Sequence, residues 1–322
     1  MRLKAFGRPD SRRGMVQLLI TATAFVILWL GMLYSLELGY WLTLALALPA
    51  AGFLVRLFII QHDCGHGSFF GSRRLNDLVG RVLGVLTLTP YDYWRYAHAL
   101  HHASSGNLDR RGIGDITTLT VREYRALSRW RRVAYRLYRN PLVMFGLGPI
   151  YLFIVKHRLP GDVSLIRRNL WFGVLATNIA IVGLTAAAAA AVGPSALIRV
   201  QLPLTVLASS IGVWLFFVQH QFETAYWQQD ERWNFHDAAF HGSSYYRLPK
   251  PLQWITGSIG LHHIHHLCSR IPCYRLQESM DRVPALRGAA SLTIWQSVRC
   301  ATLSLWDEDA GRMVRFRDVT DA

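Results

Sequence analysis

Two long apolar runs open the chain. Met15 to Leu36 is 22 residues without a charge, and Leu38 to Ile60 is 23 residues interrupted only by Pro49 and Arg56. Each predicts a helix able to cross a hydrocarbon core of about 30 Å. A cleaved leader fits the first run poorly, because it is too long and no small-x-small site follows it. Two further runs, Leu170 to Val192 and Val200 to Val218, are separated by Gly193-Pro194, which reads as a tight turn. Two weaker segments lie between the pairs. Asp77 to Pro90 contains Arg81, and Pro141 to Val155 spans only 15 residues and contains prolines. Both suit interfacial or re-entrant helices better than spans. The expectation is an all-α integral membrane protein of one domain (1–322). Its four transmembrane helices (15–36, 38–60, 170–192, 200–218) form two hairpins under a helical cap made of 61–169 and 219–322.

Composition agrees. Of the residues, 52% are hydrophobic and 17% charged, against about 25% charged in ordinary soluble domains. So apolar a chain is not a disordered one, which needs few apolar residues and many charges. The formal net charge of +15 is almost all arginine, with lysine only at positions 4, 156 and 250. Five cations lie in the N-terminal arm, 17 in 61–169 and 11 from 219 onward, whereas the turns at Glu37 and Gly193-Pro194 carry none. Positive residues mark the cytoplasmic side. Both termini and the cap are therefore expected in the cytoplasm, and the cations read as membrane flanks, not a nucleic-acid surface. The four cysteines form no C-x-x-C pair and suit free thiols on a reducing face.

Chemistry is concentrated in the histidines, of which there are 13. His62 and His66 follow the second run directly. His98, His101 and His102 come 32 residues later, His262, His263, His265 and His266 lie in the tail, and His220 ends the fourth run. Spacings of i, i+3 and i+4 place imidazoles on one helix face. The four-span arrangement brings all these groups to one side of the membrane; a span through Asp77–Pro90 would part the first two clusters. Nine or so imidazoles oversupply a structural zinc, which takes four ligands. Imidazole also suits iron and copper, and two octahedral-type irons match the count. Asp63, Asp109, Asp115 and Glu223 are candidate carboxylates to orient the rings. A metal transporter or haem protein fits less well, since the spans hold almost no ionisable residues.

The words HDCGHGSF (His62–Phe69), HALHH (His98–His102), VQHQFE (Val218–Glu223), GSSYYRLP (Gly242–Pro249) and GLHHIHHL (Gly260–Leu267) resemble the histidine boxes of the membrane fatty acid desaturase family. They are closest to its bacterial and plastid acyl-lipid delta-12 (omega-6) type. The similarity runs from about residue 50 to 280. The resemblance implies that His62, His66, His98, His101, His102, His220, His262, His265 and His266 hold two iron ions, with O2 as co-substrate. His263 stands as the rival of His262, while His236, His241 and His157 read as non-ligands, the last at the membrane surface. The pattern departs at Ser258, where relatives often carry Asn. The implied reaction places a cis double bond in a fatty acyl or acyl-lipid chain at a bacterial-type inner membrane. A related di-iron hydroxylase or carotenoid oxygenase is the alternative. Tyr91, Tyr93, Trp94, Trp214 and Phe217 are candidate tunnel linings. With no dinucleotide-binding, rubredoxin-like or haem-binding motif in the chain, the electrons are assigned to an external ferredoxin-type donor with its reductase. An acidic donor could dock on the Arg122–Arg139 segment.

Overall fold

A computed structural model describes residues 2–112, 114–159 and 168–319. The expected cap ranges 61–169 and 219–322 include residues 113, 160–167 and 320–322, which lie outside the described residues. The four apolar runs become α1 (Ser11–Leu38), α2 (Tyr40–Gly65), α8 (Arg168–Val192) and α9 (Pro194–His220). All four are long and apolar enough to cross a membrane. Asp10 starts α1 by accepting the Arg13 N–H. Gly39 alone separates α1 from α2, at φ 152°, a conformation a side chain would resist. Proline 203 sits inside α9, and that helix begins six residues earlier than the apolar run suggested.

Helices α2 and α9 run side by side, with their C-terminal ends at the histidine clusters. Ala47, Ala50 and Ala51 of α2 and Val200 and Leu204 of α9 are fully buried. Small side chains there let the backbones approach closely, the usual route to helix association in lipid. Much of α1 and α8 instead exposes large apolar residues such as Leu19, Ile27, Ile179 and Val182, as a lipid-facing surface must.

Between the hairpins lie α3 (Arg73–Leu86), α4 (Tyr91–Ser104), α5 (Val121–Ala126), α6 (Arg129–Tyr138) and α7 (Gly148–Ile154), the last preceded by a π-helical turn at Val143–Leu147. At 14 residues, α3 is about 21 Å long and too short to span. The α6 segment and Val143–Arg158 bend by 58° and together would be long enough. Arg129, Arg131, Arg132 and Arg136 make α6 costly to place in hydrocarbon, at about 2.5–3.5 kcal/mol per arginine at its centre. That favours the re-entrant alternative.

After α9 come α10 (Phe235–His241), α11 (Lys250–Ile255), α12 (His262–Leu267), α13 (Cys273–Arg282) and α14 (Ile294–Cys300). Small ladders tie the two halves of the polar region together. Strand β1 (Leu119–Thr120) is parallel to β4 (Leu305–Asp307), which pairs antiparallel with β5 (Arg312–Val314). Strand β2 (Tyr245–Tyr246) is parallel to β3 (Ser291–Leu292). Helix α12 rests its apolar side, Leu261 and Ile264, on Leu276, Met280 and Leu286. On its other sides His262, His265 and His266 meet histidines of α2, α4 and α9.

Candidate metal centre

Two of the helices that carry histidine boxes obey the same geometry. At about 100° per residue, positions i and i+4 lie about 40° apart, whereas i+3 and i+4 diverge by about 100°. In α4, His98 and His102 therefore face one point and His101 another. In α12, His262 and His266 share a direction and His265 departs from it. The result is two groups. His62, His66, His98, His102 and His265 form one, and His101, His220, His262 and His266 form the other; within each group one ring nitrogen per residue lies within 4.8 Å of all the rest.

The Nε2 atoms crowd one another. In the first group the separations are 3.1 Å for His98–His66 and His102–His98, and 3.0 Å for His265–His102. In the second they are 3.2 Å for His101–His220, 2.9 Å for His262–His220 and 3.0 Å for His266–His262. A single Nε2 has one proton or one lone pair in its ring plane, so it cannot satisfy two such neighbours. A shared cation can. Nitrogens bound at about 2.1 Å and at right angles to each other stand about 3.0 Å apart, against about 3.4 Å in a tetrahedron. The donor set thus fits two metal ions in octahedral-type surroundings.

Protonation suits that use. Burial, followed by neighbouring imidazoles, pushes His66, His98, His102, His262, His265 and His266 well below the ordinary value. These rings are neutral at physiological pH, the form that binds metal. The far nitrogens are held too. His62 Nδ1 lies 3.1 Å from Asp63 Oδ1, His101 Nδ1 is paired with Asp115, and His220 Nδ1 donates to the Gly242 carbonyl at 3.1 Å. Such contacts fix tautomer and ring orientation. Asp63 also accepts the Cys273 N–H at 2.6 Å, locking the end of α2 to α13.

The expectations for Asp109, Glu223 and His157 need correction. Of the four carboxylates, Asp63 and Asp115 reach histidines. Asp109 instead accepts the Asp230 N–H at 2.8 Å, and the exposed Glu223 pairs with Arg312. His262, not His263, joins the cluster; His263 turns towards Phe240 and Tyr245. His236 and His241 are exposed and outside both groups. His157 is buried beside Phe153 and Tyr93, not at a surface, because Arg158 anchors its turn to Asn178 on α8. Ser258 has φ 57°. Asparagine tolerates that left-handed conformation better than serine, so the position is special for its backbone. Gly260 beside it has no substitute, since a Cβ there would stand 2.5 Å from the Tyr246 carbonyl.

A cavity of about 610 Å³ adjoins the clusters, within the size range of ligand sites. His62, His98, His262 and Asp115 form its polar end, and Phe58, Trp94, Met144 and Phe216 are among its apolar walls. Trp94 and Tyr93 line it as expected. Tyr91, Trp214 and Phe217 are absent from its walls. The Tyr91 hydroxyl bonds the Cys64 carbonyl and Asp77, and Trp214 and Phe217 pack on Phe145. The sequence reading missed the π-helical turn and α7 as a wall, because their apolar pattern does not distinguish a cavity face from a lipid face. The basic segment is also more engaged than its charge suggests. Arg122 pairs with Asp309, Arg136 donates to the Tyr124 hydroxyl, and Arg139 is buried against Gln221 and the Leu303 carbonyl.

Comparison with known proteins agrees with this geometry. The family profile described as Fatty acid desaturase matches residues 38–298. A Fatty acid desaturase of Bacillus subtilis (strain 168) is 47% identical over 315 residues, covering 98% of this chain and 89% of that protein. An sn-1 acyl-lipid omega-3 desaturase (ferredoxin) of Synechocystis is 30% identical over 263 residues, or 75% of this chain and 68% of that protein. The Omega-3 fatty acid desaturase, endoplasmic reticulum, of Vigna radiata is 26% identical over 281 residues, 79% and 68% respectively. With four membrane-length helices, a paired histidine cluster and this likeness across nearly its whole length, the chain is a membrane-bound oxidoreductase and belongs to the fatty acid desaturase family.

Proposed function

We propose that the protein is an O2-dependent acyl-lipid desaturase whose nine clustered histidines, His62, His66, His98, His101, His102, His220, His262, His265 and His266, hold two iron ions. The observation that carries this reading is the pair of imidazole groups with Nε2 separations near 3.0 Å at the end of an apolar cavity. Iron with O2, bound there, supplies the oxidant that breaks unactivated C–H bonds. The balance is two adjacent methylenes, O2, two electrons and two protons giving a cis alkene and two waters. The chain's own residues bind and orient. Phe58, Trp94 and Phe216 hold the acyl chain against the clusters and exclude water, while Asp63, Asp115 and the Gly242 carbonyl keep the rings aimed.

Two electrons per turnover come from a ferredoxin-type donor with its reductase, the donor named for the Synechocystis relative. The exposed Arg129 and Arg131 on α6 suit an acidic protein of that kind. The distribution of cations supports a bacterial-type inner membrane with both termini and the single cap (61–169 and 219–322) in the cytoplasm. The sequence words favour delta-12 (omega-6) regiochemistry. The omega-3 names of two of the relatives make the neighbouring methyl-end position the rival.

The test is a lipid profile. The chain is expressed, with a ferredoxin system, in a bacterium that makes monounsaturated but not diunsaturated acyl chains. Gas chromatography with mass spectrometry is expected to show a new diene, located by its fragments and absent with His101→Ala. No new alkene from metal-loaded protein with a working donor overturns the reading. A hydroxylated or ketone product would transfer it to the hydroxylase or carotenoid-oxygenase class.

A further inference from the structure

The cavity is not symmetrical about the clusters. One limb descends between α2 and α9 towards the middle of the spans. On α9 its lining recurs at Thr205, Ser209, Gly212 and Phe216, and on α2 at Leu54 and Phe58, one face of each helix. Phe216 marks the upper end, its ring centroid 5.3 Å from His101 and 5.4 Å from His220. Thr205 and Leu54 are the deepest positions of α9 and α2 that line it; below them Ala47, Ala50, Ala51, Val200 and Leu204 are fully buried and line no part of it. The remaining walls, on the α4 and α7 side, include Tyr93, Tyr151, Lys156 and His157.

This polarity orients an acyl chain. The Ser209 hydroxyl is spent on the Val206 carbonyl, and Thr205 accepts from Gln201. The α2–α9 limb therefore offers an apolar lining, and burying a carboxyl or glycerol group there would be costly. The methyl end belongs in it, with the polar end on the Lys156 side.

Resting on the desaturase reading, we infer that Gly212 is a specificity-determining residue: its missing side chain leaves the α2–α9 limb open as a gauge for the methyl end, so the depth of that limb sets where the double bond falls. Gly212 lines the cavity, and a Cβ built on it meets nothing within 4 Å, so the backbone there leaves open space for the first atom of a side chain. Eleven residues separate Phe216 from Thr205, about 16 Å at 1.5 Å per residue. An extended chain advances about 1.25 Å per carbon, from a C–C bond of about 1.5 Å, so the limb takes at most about 13 methylenes. Closure at Gly212 would leave about 6 Å, or about five methylenes.

The experiment compares wild type, Gly212→Val, Gly212→Phe and Gly183→Phe for double-bond position and chain-length preference on a ladder of acyl substrates, with metal content measured on each protein. Gly183 on α8 is an exposed glycine whose added Cβ also meets nothing, and it does not line the cavity. Gly212→Phe is expected to move the double bond towards the methyl end, or the preference to shorter chains, by about two or more carbons. Gly212→Val should give a smaller shift in the same direction and decides the matter if the phenylalanine variant loses metal. Gly183→Phe should keep the wild-type profile. An unchanged profile in Gly212→Phe overturns the inference. So does loss of activity on every chain length with full metal content. A wild type that makes no alkene would instead defeat the desaturase reading itself.

Discussion

The five-histidine and four-histidine groups draw on two common helices, α4 and α12, yet hold their rings differently. In the first, His66, His98 and His102 are only partly buried, and among the described residues only His62 Nδ1 of its ring nitrogens has a carboxylate partner. In the second, all four histidines are buried, and His101 and His220 are each fixed from behind by Asp115 and the Gly242 carbonyl. One group has more ligands; the other has fewer ligands with tighter restraint. Coordination can thus be secured by number or by orientation, and this molecule uses one means on each side.

Removing a ligand tests the difference most severely. His101→Ala should abolish turnover and halve the metal content, since three imidazoles remain in its group. His66→Ala leaves four, and should keep metal content nearer to wild type even where turnover falls. Elemental analysis of the purified variants, alongside the lipid profile, reads both, and equal metal loss in the two would erase the distinction. A gentler break removes restraint alone. Asp115→Asn should lower metal affinity or activity about 10–100-fold, whereas Glu223→Gln, which touches no histidine, should stay within about twofold of wild type. Chelator titration of the two variants would show it.

The smallest effect concerns what both groups lack, a thiolate. Burial pushes the Cys268 and Cys273 thiols up, and Cys300 to about 11. A folded thiol that keeps its proton while the unfolded one loses it near pH 8.5 costs stability as pH rises from there towards about 11. Cys300 in the native protein should therefore alkylate at least about 100-fold more slowly at pH 8.5 than in denaturant. Comparable rates would show that the Cys300 thiol is neither buried nor held protonated in the native protein.

Much of this arrangement is legible in the sequence, for identifiable reasons. The spans are legible because lipid demands long apolar runs. The histidine clusters are legible from their spacing, but their split is not what that spacing suggests: i, i+3 and i+4 read as one face, whereas the repeat of about 100° parts His101 from His98 and His102. The cavity walls are not legible. Trp214 and Phe145 carry the same apolar signal whether they meet lipid, each other or a substrate, and a helix apolar on every side gives no direction to its faces. Asp115 reaches His101 through an irregular loop, and Glu223 fails to reach any histidine because Arg312, 89 residues away, holds it. Contacts of that separation leave no local trace in the sequence.

The shared use of α4 also bears on how such a chain tolerates change. A substitution at His98, His101 or His102 subtracts one ligand from one group. A single-residue insertion or deletion between Tyr91 and His98 would rotate all three by about 100° and strip both groups together. Length variation is thus forbidden inside this helix while it remains open to the loops on either side, and the two ion sites stand or fall as one heritable character.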